Sequence, residues 1–235
     1  MQADFNVAYS EEYRQARAAY DWLFASEPEK ETVVIEGSDR YQVTCFSYSE
    51  MHPRPDGIIA RYDVKKILIA DKKKNDPVFE YEIIDDRLLL KIIRHRNGRD
   101  YLLFNIDLYG YSVLDLKTRE AIHYVPEESF RGGETFLWMD ALYCPENDLL
   151  AIEGCYWACP WSIRFYDFAN PMQLPFPLYC DSFALEDDFG VDIDIDVRAV
   201  RFTDTGECVI RCWDERGNMA DKIIDVIKFR KNVSL

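Results

Sequence analysis

Residues 96–125 read RNGRDYLLFNIDLYGYSVLDLKTREAIHYV. Three short runs rich in Tyr, Leu, Val, Ile and Phe, namely DYLLFNID, YSVLDL and AIHYV, are separated by polar residues. Such runs, bounded by Gly, Asn and Asp, are typical of β-strands joined by tight turns. The second run ends at Asp115, which is followed by a polar turn and a further strand.

The same pattern continues along most of the chain. From about residue 32 onward we identify fourteen short runs of this kind. Polar turn sequences divide them: RPDG (54–57), RNGR (96–99), PEND (145–148), TDTG (203–206) and ERGN (215–218). The sequence therefore predicts a mainly β protein.

A weak repeat is present among these strands. Four of them end in an aspartate, at Asp71, Asp115, Asp167 and Asp214, with intervals of 44, 52 and 47 residues. A period of roughly 45 to 50 residues with about four strands per unit indicates β-propeller blades. We predict a small propeller-like array of about four antiparallel sheets, with a β-sandwich or barrel as the alternative.

Residues 33 to 235 resemble the WD-repeat and related propeller proteins in this spacing and in the dipeptide Trp213-Asp214. The resemblance implies a ring of four-stranded sheets. The Gly-His pair that opens a WD blade is absent, and only the last unit carries Trp-Asp.

A helix is predicted ahead of the strands. Ser10 is a suitable N-cap, and Glu11 and Glu12 complement the helix dipole in the first turn. Apolar residues then recur at helical spacing until Pro28. We therefore divide the chain into an N-terminal helical segment, 1–31, packed on a single all-β domain, 32–235.

The chain carries 28 Lys and Arg against 43 Asp and Glu, a formal charge of −15. This charge repels nucleic-acid phosphates and anionic membranes and attracts basic partners. The N-terminus does not resemble a signal peptide, and no apolar run is long enough to cross a membrane. We expect a cytoplasmic protein with a basic protein partner; the sequence leaves its oligomeric state open.

The stretch GCYWACPWS (154–162) combines two cysteines with three aromatic residues. Cys155 and Cys159 are separated by three residues, whereas a zinc or redox knuckle uses C-x-x-C. Cys208 and Cys212 have the same spacing, but on a strand they would lie about 13 Å apart. We therefore predict no metal site and interpret most of the seven cysteines as buried, reduced thiols.

The aromatic residues of this stretch, Tyr156, Trp157 and Trp161, are candidate partner-binding residues. Tryptophans on a loop provide rigid, amphipathic contact area. The alternative is that they fold back over the core, and one can be buried while the other is presented.

Asp192, Asp194 and Asp196 are further candidates, because they alternate with apolar residues and would share one face of a strand. The spelling D-x-D-x-D is not an EF-hand, since Val197 stands where its glycine is needed and Thr203 where its glutamate is needed. The acidic face favours a basic partner or a cation; a solvated face is the alternative.

No catalytic or cofactor-binding motif is present. FRGGET (130–135) lacks the Lys of a P-loop, and the sequence has no G-x-S-x-G, H-E-x-x-H or G-x-G-x-x-G. We assign no catalytic residue and expect no cofactor. The leading hypothesis is a non-enzymatic acidic binding protein of immunity or antitoxin type. The alternative is a hydrolase or carbohydrate-binding domain that uses carboxylates and tryptophans in a concave pocket.

Overall fold

A computed structural model describes residues 5–35, 38–54, 56–74, 76–182, 196–213 and 216–231. In these residues the protein is mainly β, with four antiparallel sheets of three or four strands, none of them closed into a barrel. The predicted fold class, about four antiparallel sheets with an N-terminal helix, is confirmed. The ring arrangement of a propeller stays a prediction.

The chain forms two compact units. Unit 1 comprises Met1–Arg94 and Arg99–Gly133, and unit 2 comprises His95–Gly98 and Glu134–Leu235. No helix in the described part of the chain is both long and apolar enough to cross a membrane.

The helix α1, Glu11–Ala18, begins as predicted, because the Ser10 hydroxyl accepts a hydrogen bond of 3.1 Å from the backbone N–H of Tyr13. It ends earlier than Pro28, and a 3₁₀-helix follows over Asp21–Ala25. This change lets Tyr13 and Leu23 enter two different buried clusters, the second formed by Leu23, Tyr48 and Val64.

Unit 1 contains two four-stranded sheets with strands in chain order. The first consists of β1 (Glu29–Val33), β2 (Tyr41–Pro53), β3 (Ile59–Asp71) and β4 (Asp76–Ile83), and the second of β5 (Leu90–Arg94), β6 (Asp100–Phe104), β7 (Tyr111–Asp115) and β8 (Glu120–Tyr124). A short helix, α2 (Glu127–Phe130), follows. Both sheets and α1 contribute to one apolar core.

Unit 2 contains a four-stranded and a three-stranded sheet, again with neighbouring strands consecutive in the chain. They consist of β9 (Leu137–Cys144), β10 (Leu149–Cys155), β11 (Ser162–Asp167) and β12 (Leu178–Asp181), and of β13 (Val197–Phe202), β14 (Cys208–Trp213) and β15 (Met219–Ile224). A 3₁₀-helix, Val226–Lys231, follows β15. Residues from all seven strands form the core of this unit.

Several predicted strands differ from the observed ones. The strand predicted at 33–37 shares only Val33 with the observed strand β1, which begins at Glu29, inside the segment 1–31 predicted to be helical. Val34 and Ile35 follow β1 outside any strand. Two predicted strands, GIIARYDV and KILIAD, form the single strand β3, and the end of IIDVIKF is a 3₁₀-helix. The strands β9 and β12 were not predicted, since LWMDALYC and LYCD have little period-two alternation.

The aspartate repeat has a structural basis in three sheets. Asp71, Asp115 and Asp167 each end the third strand of a four-stranded sheet and occupy the same register position. Each carboxylate accepts a hydrogen bond of 2.8 to 3.0 Å from the backbone N–H two residues later, which stabilises the following turn. Asp214 lies outside the described residues.

Candidate functional site

The stretch GCYWACPWS runs from the end of β10 to the first residue of β11, and its residues 156–161 form the loop between these strands. It turns tightly, with the N–H of Cys159 donating to the carbonyl of Tyr156 at 3.1 Å and Ala158 in the left-handed region at φ 58°. Trp157 lies in this turn, and 61% of its surface is exposed. The loop therefore presents one large aromatic side chain to solvent.

The first anchor of the loop is Arg164 on β11. Its guanidinium carbon lies 4.8 Å from the ring centroid of Phe136 and 5.3 Å from that of Tyr156. The guanidinium also donates a hydrogen bond of 2.5 Å to the Tyr156 hydroxyl. A cation between two aromatic faces is held by both π-systems. Tyr156 is thereby fixed on the sheet and is not part of the exposed tip.

The second anchor is Arg198 on β13. Its guanidinium carbon lies 3.6 Å from the ring centroid of Trp161, and it donates to a carboxylate oxygen of Glu153 at 3.1 Å. The backbone of Trp161 is held as well: its N–H donates to the Asp196 carboxylate at 2.8 Å, and its carbonyl accepts from the N–H of Val197 at 2.9 Å. Trp161 is half-buried and serves as a fixed support.

Glu153 is the buried charged group beneath the loop. One carboxylate oxygen accepts from Arg198, and the other accepts from the backbone N–H of Ala199 at 2.6 Å. Burial raises the pKa of Glu153, with Asp140 opposite it on β9 acting in the same direction, while Arg198 and the N–H of Ala199 oppose the rise. Because both oxygens have donors, this carboxylate serves to link β10 to β13.

Two exposed carboxylates adjoin the loop. The N–H of Trp157 donates to the carboxylate of Glu134, and the N–H of Trp161 donates to that of Asp196. Both acidic side chains are exposed. The loop is therefore held at each end by an acid whose charge also faces solvent. We call this surface, formed by Trp157, Trp161, Glu134 and Asp196, the tryptophan surface.

The structure brings together four of the six predicted binding residues. Tyr156, Trp157 and Trp161 share the loop, and Asp196 is bonded to it; Asp192 and Asp194 lie outside the described residues. Part of the loop is packed and part is exposed, while partner binding by these residues stays a prediction.

The sequence did not reveal the groups that hold the loop. These are Glu134, Glu153, Arg164 and Arg198. Of these four, only Glu153 could have been noticed in the sequence, because it is a single acidic residue within the apolar run LLAIEG.

All seven cysteines are free thiols, and four of them are buried: Cys45, Cys144, Cys180 and Cys208. Burial raises the pKa of the Cys144 thiol to about 11 and of the Cys180 and Cys208 thiols to about 12. Within the described ranges, no group of three or more His, Cys, Asp or Glu side chains is placed to hold a metal ion. We therefore assign these thiols a packing role.

No protein-family model matches the chain. An uncharacterized protein of Acanthamoeba polyphaga mimivirus, R762, is 23% identical over 145 residues, which cover 60% of this chain and 50% of the viral protein. Among solved structures, a bifunctional GH43-CE protein of Bacteroides eggerthii aligns with 83% of this chain and 24% of its own, at 7% identity and a TM-score of 0.34. A similarity of that size supports no conclusion about fold or activity.

Proposed function

We propose that the protein is a non-enzymatic, acidic binding protein of the cytoplasm, which docks a basic protein partner on the tryptophan surface. An immunity or antitoxin role fits this chemistry, and a propeller-like array of sheets would be its scaffold. The observation that carries the proposal is the exposure of Trp157 on a loop held by Glu134, Arg164 and Arg198. A preorganised aromatic side chain loses little entropy on binding, which is the property of a binding hot spot.

The distribution of charge supports a basic partner. Unit 2, which contains the tryptophan surface, carries 19 Asp and Glu against 10 Lys and Arg, whereas unit 1 carries 24 against 18. Unit 2, which presents Trp157, therefore carries the greater net negative charge per residue. Such a field steers a basic partner and raises its association rate at low ionic strength.

The second candidate function, a hydrolase or carbohydrate-binding domain, would need two carboxylates with free oxygens beside a tryptophan. Glu153 and Asp140 are opposite one another on β10 and β9, close to Trp161 through Arg198. However, both oxygens of Glu153 already accept hydrogen bonds from the protein. The arrangement thus favours the binding role.

The test separates the aromatic contact from the charge. Affinity capture from lysate of the source cell, at low and high salt with mass spectrometry, should recover a basic protein with the wild type at low salt. Trp157→Ala should weaken the purified complex about 30-fold, the size of a hot-spot loss. Trp22→Ala, which removes a tryptophan that is 42% exposed in unit 1, is the matched control and should leave the affinity unchanged.

Glu134→Gln and Asp196→Asn keep an acceptor oxygen for the loop N–H groups but remove the charge. Together they should lower the association rate several-fold at low salt and change it little at high salt. Adding Asp192→Asn and Asp194→Asn tests the remaining acidic candidates. Equal recovery of the same proteins by the wild type and Trp157→Ala at both salt concentrations would rule out the proposal.

A further inference from the structure

Unit 1 contains a pocket of about 400 Å³ that is separate from the tryptophan surface. It lies between α1, the edge strand β4, β8 and Ile106, which follows β6. Its apolar wall includes Phe79, Tyr81 and Ile106. Its polar lining includes Arg14, Arg17 and His123 together with Glu80 and Glu82 of β4. This volume is within the range of about 300–1,000 Å³ found for small-molecule sites.

Arg17 is the fixed charge of the pocket. Its two terminal nitrogens donate to the carbonyl of Ile106 at 2.7 Å and to the carbonyl of Glu82 at 3.0 Å. A guanidinium has five N–H donors, so these two bonds leave three, and the Tyr13 hydroxyl, which donates to Asp107, also interacts with this side chain. Among the described residues, no carboxylate lies within 4.0 Å of Arg17, so its charge has no ion-pair partner.

Among the described residues, the two acids of β4, Glu80 and Glu82, line the pocket but form no ion pair with Arg17. Side chains alternate along a strand, so Glu80 and Glu82 lie on the opposite sheet face from Phe79 and Tyr81. On that face Glu80 forms an ion pair of 2.7 Å with Lys66 of β3. Both glutamates belong to the pocket lining, but their side chains leave β4 on the sheet face away from the two aromatic rings.

His123 of β8 provides a second polar group. Its Nδ1 lies 2.8 Å from the Ser112 hydroxyl, while its Nε2 has no hydrogen-bond partner within the described part of the chain. The pKa of His123 is lowered, first by burial and then by the charge of Arg17. The imidazole is thus neutral at pH 7, with one ring nitrogen available to a ligand.

We propose that this pocket binds a small organic anion with a flat apolar body, of the aromatic carboxylate class. The carboxylate would accept from the remaining N–H groups of Arg17 and from those N–H groups of Arg14 that its 2.7 Å ion pair with Glu11 leaves available. The ring would contact Phe79 and Tyr81. A cation and a neutral imidazole beside an apolar wall match such a ligand in charge and in shape.

The experiment uses three flat probes of nearly equal size: benzoate, benzamide and benzamidine, with charges of −1, 0 and +1. Each is titrated into the full-length protein while the C–H resonances of the three histidines are followed by NMR, with His123 assigned through His123→Gln. Benzoate should bind saturably with a dissociation constant of about 1 mM, in line with a fragment of its size. Benzamide should bind at least about tenfold more weakly, and benzamidine should not bind.

Bound benzoate should also raise the pKa of His123, because an anion stabilises the imidazolium and offsets the charge of Arg17. Arg14 of α1 and Glu80 and Glu82 of β4 line the same pocket as the imidazole, and Asp107 after β6 accepts from the hydroxyl of Tyr13, another lining residue. None of these groups changes between the three probes. Benzamide should leave the pKa of His123 unchanged. Absence of saturable benzoate binding, or equal binding of all three probes, overturns the proposal.

Variants locate the site. Arg17→Gln should weaken benzoate binding at least about tenfold, and Arg17→Lys, which keeps the charge, should weaken it less. Arg14→Gln changes an exposed side chain and should weaken binding about threefold, so that the proposal stays testable if Arg17→Gln unfolds. Arg54→Gln, in the turn after β2, is the control. Unchanged binding to both Arg14→Gln and Arg17→Gln would place the anion elsewhere.

Discussion

Gly154 is the penultimate residue of β10, just before the loop that carries Trp157, and it has the least space for a Cβ among the described glycines. A Cβ added there would lie 1.8 Å from the backbone carbonyl oxygen of Leu137 on β9 and 2.8 Å from a ring carbon of Phe136. The φ of Gly154 is not in the left-handed region, so the requirement is one of space. We therefore predict that Gly154→Ala forces β9 and β10 apart.

The magnitude follows from the contact distance. A Cβ does not approach backbone atoms closer than 3.0 Å, so the strands must separate locally by at least about 1.2 Å. A ladder hydrogen bond of about 2.9 Å would lengthen to about 4 Å and break. Strain of about 1–3 kcal/mol and two lost hydrogen bonds of about 1 kcal/mol each give about 3–5 kcal/mol in all. The midpoint of thermal unfolding, followed by circular dichroism, should fall by at least about 6 °C.

Gly57→Ala is the control for this experiment. Gly57 has a φ of +82° but nothing within 4 Å of an added Cβ, so its substitution costs only the left-handed backbone strain, about 1 kcal/mol. If Gly154→Ala lowers the unfolding midpoint no more than Gly57→Ala does, then the carbonyl of Leu137 can move freely and the reasoning is refuted.

Three further predictions concern buried polar groups and thiols. Glu153→Ala leaves Arg198 and a backbone N–H without an acceptor, so it should lower the free energy of unfolding by about 3 kcal/mol in urea titrations. Glu153→Gln keeps an acceptor oxygen and should cost only about 1 kcal/mol. Equal losses for the two variants would contradict the linking role of Glu153. Asp115→Asn should cost about 1 kcal/mol at pH 7 by removing the charge that pairs with Arg99 at 2.6 Å. Burial raises the pKa of Asp115, but hydrogen bonds from two backbone N–H groups and from Arg99 outweigh burial, so the pKa is lowered. The stability that the ion pair contributes is therefore present above about pH 4 and is lost as the pH falls through the folded pKa. The free energies of unfolding of the wild type and Asp115→Asn should therefore become equal at that acidic pH. A difference between them that stays constant with pH would exclude the ion pair as the cause of the lost stability. A chromogenic disulfide reagent should modify the exposed Cys159 rapidly in the folded protein. The four buried thiols should react only after unfolding: Cys45, Cys144, Cys180 and Cys208.

The aspartates that end the third strands show which features of the fold can be predicted from neighbouring residues in the sequence. Asp71, Asp115 and Asp167 stabilise a turn through their own backbone neighbours, so their spacing in the sequence reports directly on the sheets. The N-cap at Ser10 is local in the same sense. By contrast, β9 and β12 are strands because neighbouring strands supply their hydrogen-bond partners. Their own residues do not show the alternating pattern that predicts a strand.

For the candidate binding residues, too, the sequence identified the residues but not their exposure. The sequence identified Tyr156, Trp157 and Trp161 because large aromatic residues in a connection between strands are unusual in themselves. It could not state which of them is exposed, since that depends on Arg164 and Arg198, which approach from other strands.

The sequence by itself determined the class of secondary structure, the four-sheet organisation, the helix start and the acidic character, because each depends on residues close together in the chain or on composition alone. The tertiary structure alone decided that Glu153 lies under the tryptophan loop, that Trp157 is the side chain presented to solvent, and that Arg17 and His123 share a pocket. Arg17 and His123 are separated by more than a hundred residues, and only the packing of α1 against β4 and β8 brings their charge and ring nitrogen to the same place.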